Sequence, residues 1–417
     1  MGSENLHDRI NEAVCQIRAI DTHVHIEVEK PVAASIWNVL SYHNYTKELV
    51  AAGMPAEILT STAPDEERLP DLAKCYPRSS TSMHAWMVRK LLAGLYEWDQ
   101  PVTPENVCEL ARRAAERSKA KGWERSVAKK CGIVRTVATV DWKHIPAEYD
   151  KTLYTLMTVV WSNADEELKF VKSIEADTGV PISGLKSLEE GISKLADAWK
   201  SAGMCAIRVV IENDPPFSMP EQGDAERSLA KYLKRQANAG ELRMVRDFML
   251  NAICREAGER GLVVQSYVGV RAVGGLPFPV FPPDHANGLF QLIANNPKTK
   301  FDMATVSPEL LNQFTVMAKH LPNLHLLGMW WFVQFPSVMH RFYRLRLEAL
   351  PVSKWSAMFT DAYSVEWQYG KSVLIRKELA KALTSYVEDG YVDEGQAINV
   401  AKNVLYDSPA RLYGIKG

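Results

Sequence analysis

His23 and His25 stand two residues apart in the stretch Asp-Thr-His-Val-His, residues 21–25, which closes the apolar run 17–20. In an extended strand alternate side chains leave the same face, so both imidazoles would point one way, about 7 Å apart along the chain. Two imidazoles at a strand end are the smallest grip that holds a divalent ion. Two polar residues on a solvated strand face would give the same pattern. Two features favour the metal. The pair lies near the start of a long alternation of strand and helix patterns, and Thr360-Asp361 closes another apolar run near the far end. Were those runs neighbours, His23, His25 and Asp361 would share one ion, with water or substrate completing its shell. Zn²⁺ suits such a mixed nitrogen and oxygen set best; Mn²⁺, Fe²⁺ and Co²⁺ also fit.

Those residues need a scaffold that brings distant runs together. Eight apolar runs read as strands: 17–22, 133–140, 153–160, 205–211, 261–268, 299–304, 323–329 and 356–360. CAIRVVI and IVRTVATV are apolar at nearly every position, as strands covered on both faces are. Helical patterns lie between most of them; 187–203 and 245–261 each end on a glycine placed to cap the helix before a strand. Eight strands alternating with helices predict an α/β fold of the (β/α)8 TIM-barrel type, with its active site at the C-terminal strand ends. Residues 30–128 interrupt the rhythm with helical segments such as 102–122, where Thr103 precedes Pro104 at a helix start. A hundred residues is too long for a loop. The expectation is one barrel domain, 1–417, with a helical subdomain inserted after the first strand and lying over the mouth. The tail after Asp361 reads as helical.

Composition narrows the function classes. The 417 residues are 47% hydrophobic and 24% charged, with 49 basic against 50 acidic side chains. No basic excess points to nucleic acid or an anionic membrane, and no apolar run approaches the ~20 residues of a membrane span. Six dispersed cysteines form no CxxC pair, as expected of reduced thiols in a cytoplasm. The polar opening MGSENLHDRINEAV reads as a helix start rather than a signal peptide. A cytoplasmic enzyme acting on a small molecule fits; the pattern leaves room for a homo-oligomer.

The His-x-His on strand one and the Asp on strand eight resemble the amidohydrolase superfamily. More narrowly, the chain resembles the uronate (glucuronate) isomerases. HLLGMWWFVQFPSVMHR (325–341) and MFTDAYS (358–364) are similar to that family's Trp-Trp-Phe followed by Leu-Thr-Asp-Ser-Arg-Ser, and VLYDSPARLYG (404–414) to its ending. SIWNVLSYHNYTKELVAAG (35–53) is similar to the segment that brings a His-Tyr pair into the site. The resemblance implies metal-assisted aldose–ketose isomerisation of a sugar acid. His43 and Tyr45 would stand for the His-Tyr pair, although Asn44 separates them. With Asp361 they are the acid–base candidates. Tyr267 stands where strand five of the family carries a His, and Tyr363 follows Asp361 where the family's Arg is lost. A carboxylate substrate wants a guanidinium, and two of the family's arginines are missing, so Arg208 and Arg271 are candidates to replace them. Trp330 or Trp331 would wall the pocket, stacking on a sugar face.

Each residue also has a plainer reading. Asp361 would be a ligand only, His43 a surface histidine and Tyr45 core packing. At least one tryptophan would be core, and Arg208 would form an internal salt bridge to Asp21 or Asp302. Two functional alternatives stand beside the isomerase: a metal-dependent hydrolase or lactonase of the same superfamily, and a non-catalytic descendant.

Overall fold

The computed structural model describes residues 5–161, 164–211, 217–273, 276–279, 285–331 and 334–416; the side chains of 44, 161, 164–168, 210–211, 271–273, 276–279 and 285 lie outside that description. Strands β1 (Ala19–Val24), β2 (Ile133–Val140), β3 (Tyr154–Trp161), β4 (Ala206–Ile211) and β5 (Val263–Val268) are followed by a short hairpin, β6 (Val270–Val273) and β7 (Leu276–Pro279). Strands β8 (Lys300–Thr305) and β9 (Leu324–Leu326) complete the set. Seven strands form one curled parallel sheet in the order β1-β2-β3-β4-β5-β8-β9, the wall of a TIM-like barrel. Every residue of β1 and β5 is buried, which is why these runs carry so little polar alternation.

The eighth expected strand is not a strand. Segment 355–362 lies between the two sheet edges, with parallel bridges from Trp355 to Leu326 and from Ala362 to Val24. Ser356 N–H donates to Leu326 O and Asp361 N–H to His23 O, at 3.0 Å each. Between them the ladder is diverted. Ala357 N–H goes to Val404 O, and Thr360 N–H goes to the Asp21 carboxylate at 3.0 Å. The segment still joins the edges, but the backbone donors of Ala357 and Thr360 serve other partners. Strand β1 also begins two residues later than expected, because the first helix runs from Leu6 to Gln16 before it. The β6–β7 hairpin escaped the pattern because β7 reads Leu-Pro-Phe-Pro, and proline lacks the donor that marks a strand.

Seven α-helices, from Ile36–Leu40 to Trp123–Cys131, fill the chain between β1 and β2. The C-terminal helix Ser408–Tyr413 ends with Leu412 and Tyr413 packed on Val137, Met157, Ala206 and Val263. Ala206 and Val263 are the first residues of β4 and β5, so this helix plugs the N-terminal end of the barrel. No helix among the described residues is long and apolar enough to cross a membrane. All six cysteines are free.

Candidate active site

His23 is the fifth residue of β1 and His25 lies just past its end. Their Nε2 atoms approach to 3.3 Å, and Asp361 Oδ1 lies 3.5 Å from the first and 3.2 Å from the second. Four ligands at 2.0–2.1 Å from a tetrahedral zinc would lie roughly 3.3–3.4 Å from one another. The triangle therefore already has the spacing of three metal ligands. Asp361 Oδ1 is buried and accepts no hydrogen bond among the described residues. An orphaned carboxylate oxygen is costly unless a cation or donor meets it, so the residues present fit a divalent ion.

Asp361 is held firmly. Its φ of 52° is left-handed, a conformation that costs a residue with a Cβ roughly 1–2 kcal/mol. Its N–H donates to His23 O. Its carbonyl accepts from Tyr42 OH at 3.1 Å and Lys371 Nζ at 3.4 Å. Oδ2 accepts from both indoles, Trp330 Nε1 at 3.1 Å and Trp331 Nε1 at 3.0 Å. Only Oδ1 faces the histidines unengaged. Burial alone would raise this carboxyl, but the imidazole of His25, the Lys371 ammonium and His23 hold it well below the usual carboxylate range. Burial, reinforced by His25 and Arg208, pushes His23 the other way, keeping it neutral.

The aromatic residues line up around this triangle. Tyr363, about half exposed, stacks on His25 with ring centroids 4.7 Å apart and on His43 at 5.2 Å. His43 also lies 5.5 Å from the Trp331 ring. Burial drives the His43 imidazole down to about 4. Arg208 Nη1 donates to His25 Nε2 at 3.4 Å, and its guanidinium lies 4.8 Å over the Tyr267 ring. Neither Asp21 nor Asp302 is its partner: Asp21 accepts from Thr360 and Gln368, and Asp302 accepts from Tyr413. Arg208 Nε is buried with no hydrogen-bond partner among the described residues.

One candidate sits elsewhere and one lies behind the cluster. Tyr45 is fully buried, with its hydroxyl 3.0 Å from Ser79 Oγ and its ring stacked on His84. Three residues along, the turn starting helix His43–Ala51 has carried it away from the cluster, and Tyr42 reaches Asp361 instead. Tyr267 is fully buried; it packs edge-on to His23 and donates to Gln265 Oε1 at 3.3 Å, so it backs the cluster rather than facing open space. The side chain of Arg271 lies outside the described residues. Tyr42, Gln265, Lys371 and Asp21 surround the cluster without having been singled out as site residues. Asp21 adjoins the His-x-His, and Tyr42 adjoins His43; Lys371 had no signal beyond a charge in a helix buried nearly all round.

A curled parallel sheet with this His-His-Asp triangle at its strand ends defines a TIM-like barrel with a candidate metal site. No family model matches the chain. Its sequence is 20% identical over 442 residues to a uronate isomerase of Thermotoga neapolitana, covering 97% of this chain and 96% of the relative. Its fold is similar to a uronate isomerase of Thermotoga maritima (TM-score 0.86, 18% identity, 98% and 97% of the two chains). A glucuronate isomerase of Caulobacter crescentus is equally similar in fold (TM-score 0.86, 14% identity, 99% and 94%). Over nearly its whole length the chain is thus similar to uronate isomerases, at low identity in sequence and closely in fold.

Proposed function

We propose that this chain catalyses the aldose–ketose isomerisation of a hexuronate or related sugar acid. The site would be a cluster of His23, His25 and Asp361 holding one divalent ion, Zn²⁺ first among the candidates. One observation carries the reading: the three ligand atoms have metal-ligand spacing, and Asp361 Oδ1 is otherwise orphaned. Bound there, the ion would polarise a substrate oxygen and acidify the neighbouring C–H.

The chain's own residues supply the rest. The two indole N–H groups hold Asp361 by Oδ2, leaving Oδ1 aimed at the reacting centre. His43, neutral at physiological pH, is the candidate to carry a proton between adjacent carbons. Tyr363 and Trp331 wall the approach to it. Arg208, without a carboxylate partner among the described residues, is the candidate to meet the substrate carboxylate, with Arg271 second. The helical residues 30–128 act in this reading as an inserted subdomain over the mouth of a single barrel domain, since they deliver Tyr42 and His43 to the cluster.

The test is conversion of hexuronates by metal-loaded protein in D₂O. Isomerisation moves hydrogen between C1 and C2 or admits solvent deuterium there, with no other change in mass. Addition of water to the mass of a lactone substrate, with no isomerisation, would replace this reading by the hydrolase. No turnover by protein carrying stoichiometric metal would sink both.

A further inference from the structure

Gln265 lies on β5 in a polar layer of the wall, its backbone paired with Arg208 on one side and Asp302 on the other. Its side chain is fully buried, and each of its polar atoms has partners. Nε2 donates to Thr22 O at 2.7 Å and to Tyr413 OH. Oε1 lies 3.2 Å from His23 Nδ1 and accepts from Tyr267 OH. Tyr413 OH in turn donates to Asp302 Oδ2 at 2.6 Å.

The direction of every link in this chain follows from chemistry. A backbone carbonyl only accepts, so the amide atom at Thr22 O is the NH₂ group. The atom facing His23 is therefore the carbonyl oxygen, which also only accepts. A hydrogen bond to it requires the proton of His23 to sit on Nδ1. Neutral imidazole carries one proton, so Nε2 then presents a lone pair toward His25 and Asp361. Tyr413, accepting from Gln265, has its own proton free for the Asp302 carboxylate. The C-terminal plug of the barrel is thus joined through Gln265 to the metal-ligand candidate, with the amide fixed in one orientation by Thr22 O.

We infer that Gln265 and Tyr413 are positioning residues that fix His23 in its Nδ1–H tautomer and aim Nε2 as a ligand atom. Tyr413 acts through Gln265: it gives the amide NH₂ a second acceptor, so a flipped amide would lose both Thr22 and Tyr413. The inference rests on the cluster being a metal site only for its effect on affinity; the tautomer belongs to the apoprotein.

Two measurements test it. In ¹⁵N-histidine-labelled apoprotein, long-range proton–nitrogen correlations report which ring nitrogen of His23 is protonated, the signal being assigned by its loss in His23→Asn. Nδ1–H is expected, and Nε2–H in the native chain overturns the inference without any variant. Cobalt titration followed by visible absorption then reads affinity. Gln265→Leu should bind about 10–100-fold more weakly, as expected on losing the hydrogen-bond partner of a ligating imidazole. Tyr413→Phe keeps the buried ring and removes one hydrogen bond, for a loss of about 2–10-fold. Native affinity in both folded variants would show that the residues merely fill space. If the native chain binds no cobalt yet shows the Nδ1–H form, and Gln265→Leu loses it, the relay stands and the metal reading falls.

Discussion

From β4 through β8 the barrel wall is a continuous ladder: Ala206–Ile211 pairs residue for residue with Val263–Val268, and that strand with Lys300–Thr305. Across the barrel, segment 355–362 meets its neighbours through single bridges, gives one N–H to Val404 and another to the Asp21 carboxylate, and sets Asp361 at positive φ. The ligand triangle sits at this second wall. Regular pairing satisfies backbone groups and leaves them nothing else to do. The irregular seam frees the Thr360 N–H for the Asp21 carboxylate and the Asp361 carbonyl for Tyr42 and Lys371, and accepts local strain in return.

The sharpest way to break this contrast is to remove the ligands at the seam. His23→Ala combined with His25→Ala should reduce metal content to background and kcat/KM by about 10³-fold, taking Lewis-acid stabilisation as several kcal/mol. Elemental analysis beside the assay checks it; stoichiometric metal in the double variant would mean the ion lies elsewhere. The opposite wall should respond in stability instead. Phe301→Ala in β8 removes a side chain that is fully buried, at a cost of about 3–5 kcal/mol. Cobalt affinity, measured well below the variant's unfolding transition, should stay native; a large drop would show that the two walls are not separable.

A finer cut tests the pocket side of the regular wall. Arg208→Met should lower kcat/KM for a carboxylate substrate by about 10–100-fold more than for its neutral analogue, the value of one charge-assisted hydrogen bond. Equal losses would show that Arg208 does not read the carboxylate and would move the question to Arg271. The smallest effect concerns pH. Burial raises the Asp302 carboxyl to about 7, against opposing contributions from Tyr413 and Arg346. A carboxyl raised in the folded state stabilises below its unfolded value, near 4, and that contribution is lost as pH rises through 7. Asp302→Asn should therefore gain stability relative to the native chain between pH 4 and 7. Denaturant titrations at both pH values check the sign, and a difference independent of pH would count against it.

The parts of the site legible in the sequence were those whose chemistry is local. His23 and His25 announce themselves because strand geometry puts alternate residues on one face, and Asp361 because it closes an apolar run. Tyr45 and Tyr42 show where that ends. Which of two tyrosines around His43 turns back to the cluster depends on where the helix starts, and His43 opens it with a φ of 31° that no spacing rule predicts. One of Trp330 and Trp331 reads as stacking surface and the other as core, yet the N–H groups of both are what Asp361 uses. Gln265 was visible as a residue and invisible as a role, since its partners come from β1 and from the C-terminal helix. The barrel class was legible from its buried strand runs. The last strand was misread because backbone donors diverted to Asp21 and Val404 leave no trace in hydrophobic pattern.

The hydrogen bond from Thr360 to Asp21 joins residues 339 positions apart in the chain. Contacts of such separation carry the largest loop-closure cost and belong to the late stages of folding. An ion shared by the two sides of that seam would bind only after the seam has closed. It would act as a latch on the finished molecule, slowing the first step of unfolding while leaving the rate of folding nearly unchanged. Lifetime in the folded state, more than speed of reaching it, would then depend on the supply of metal.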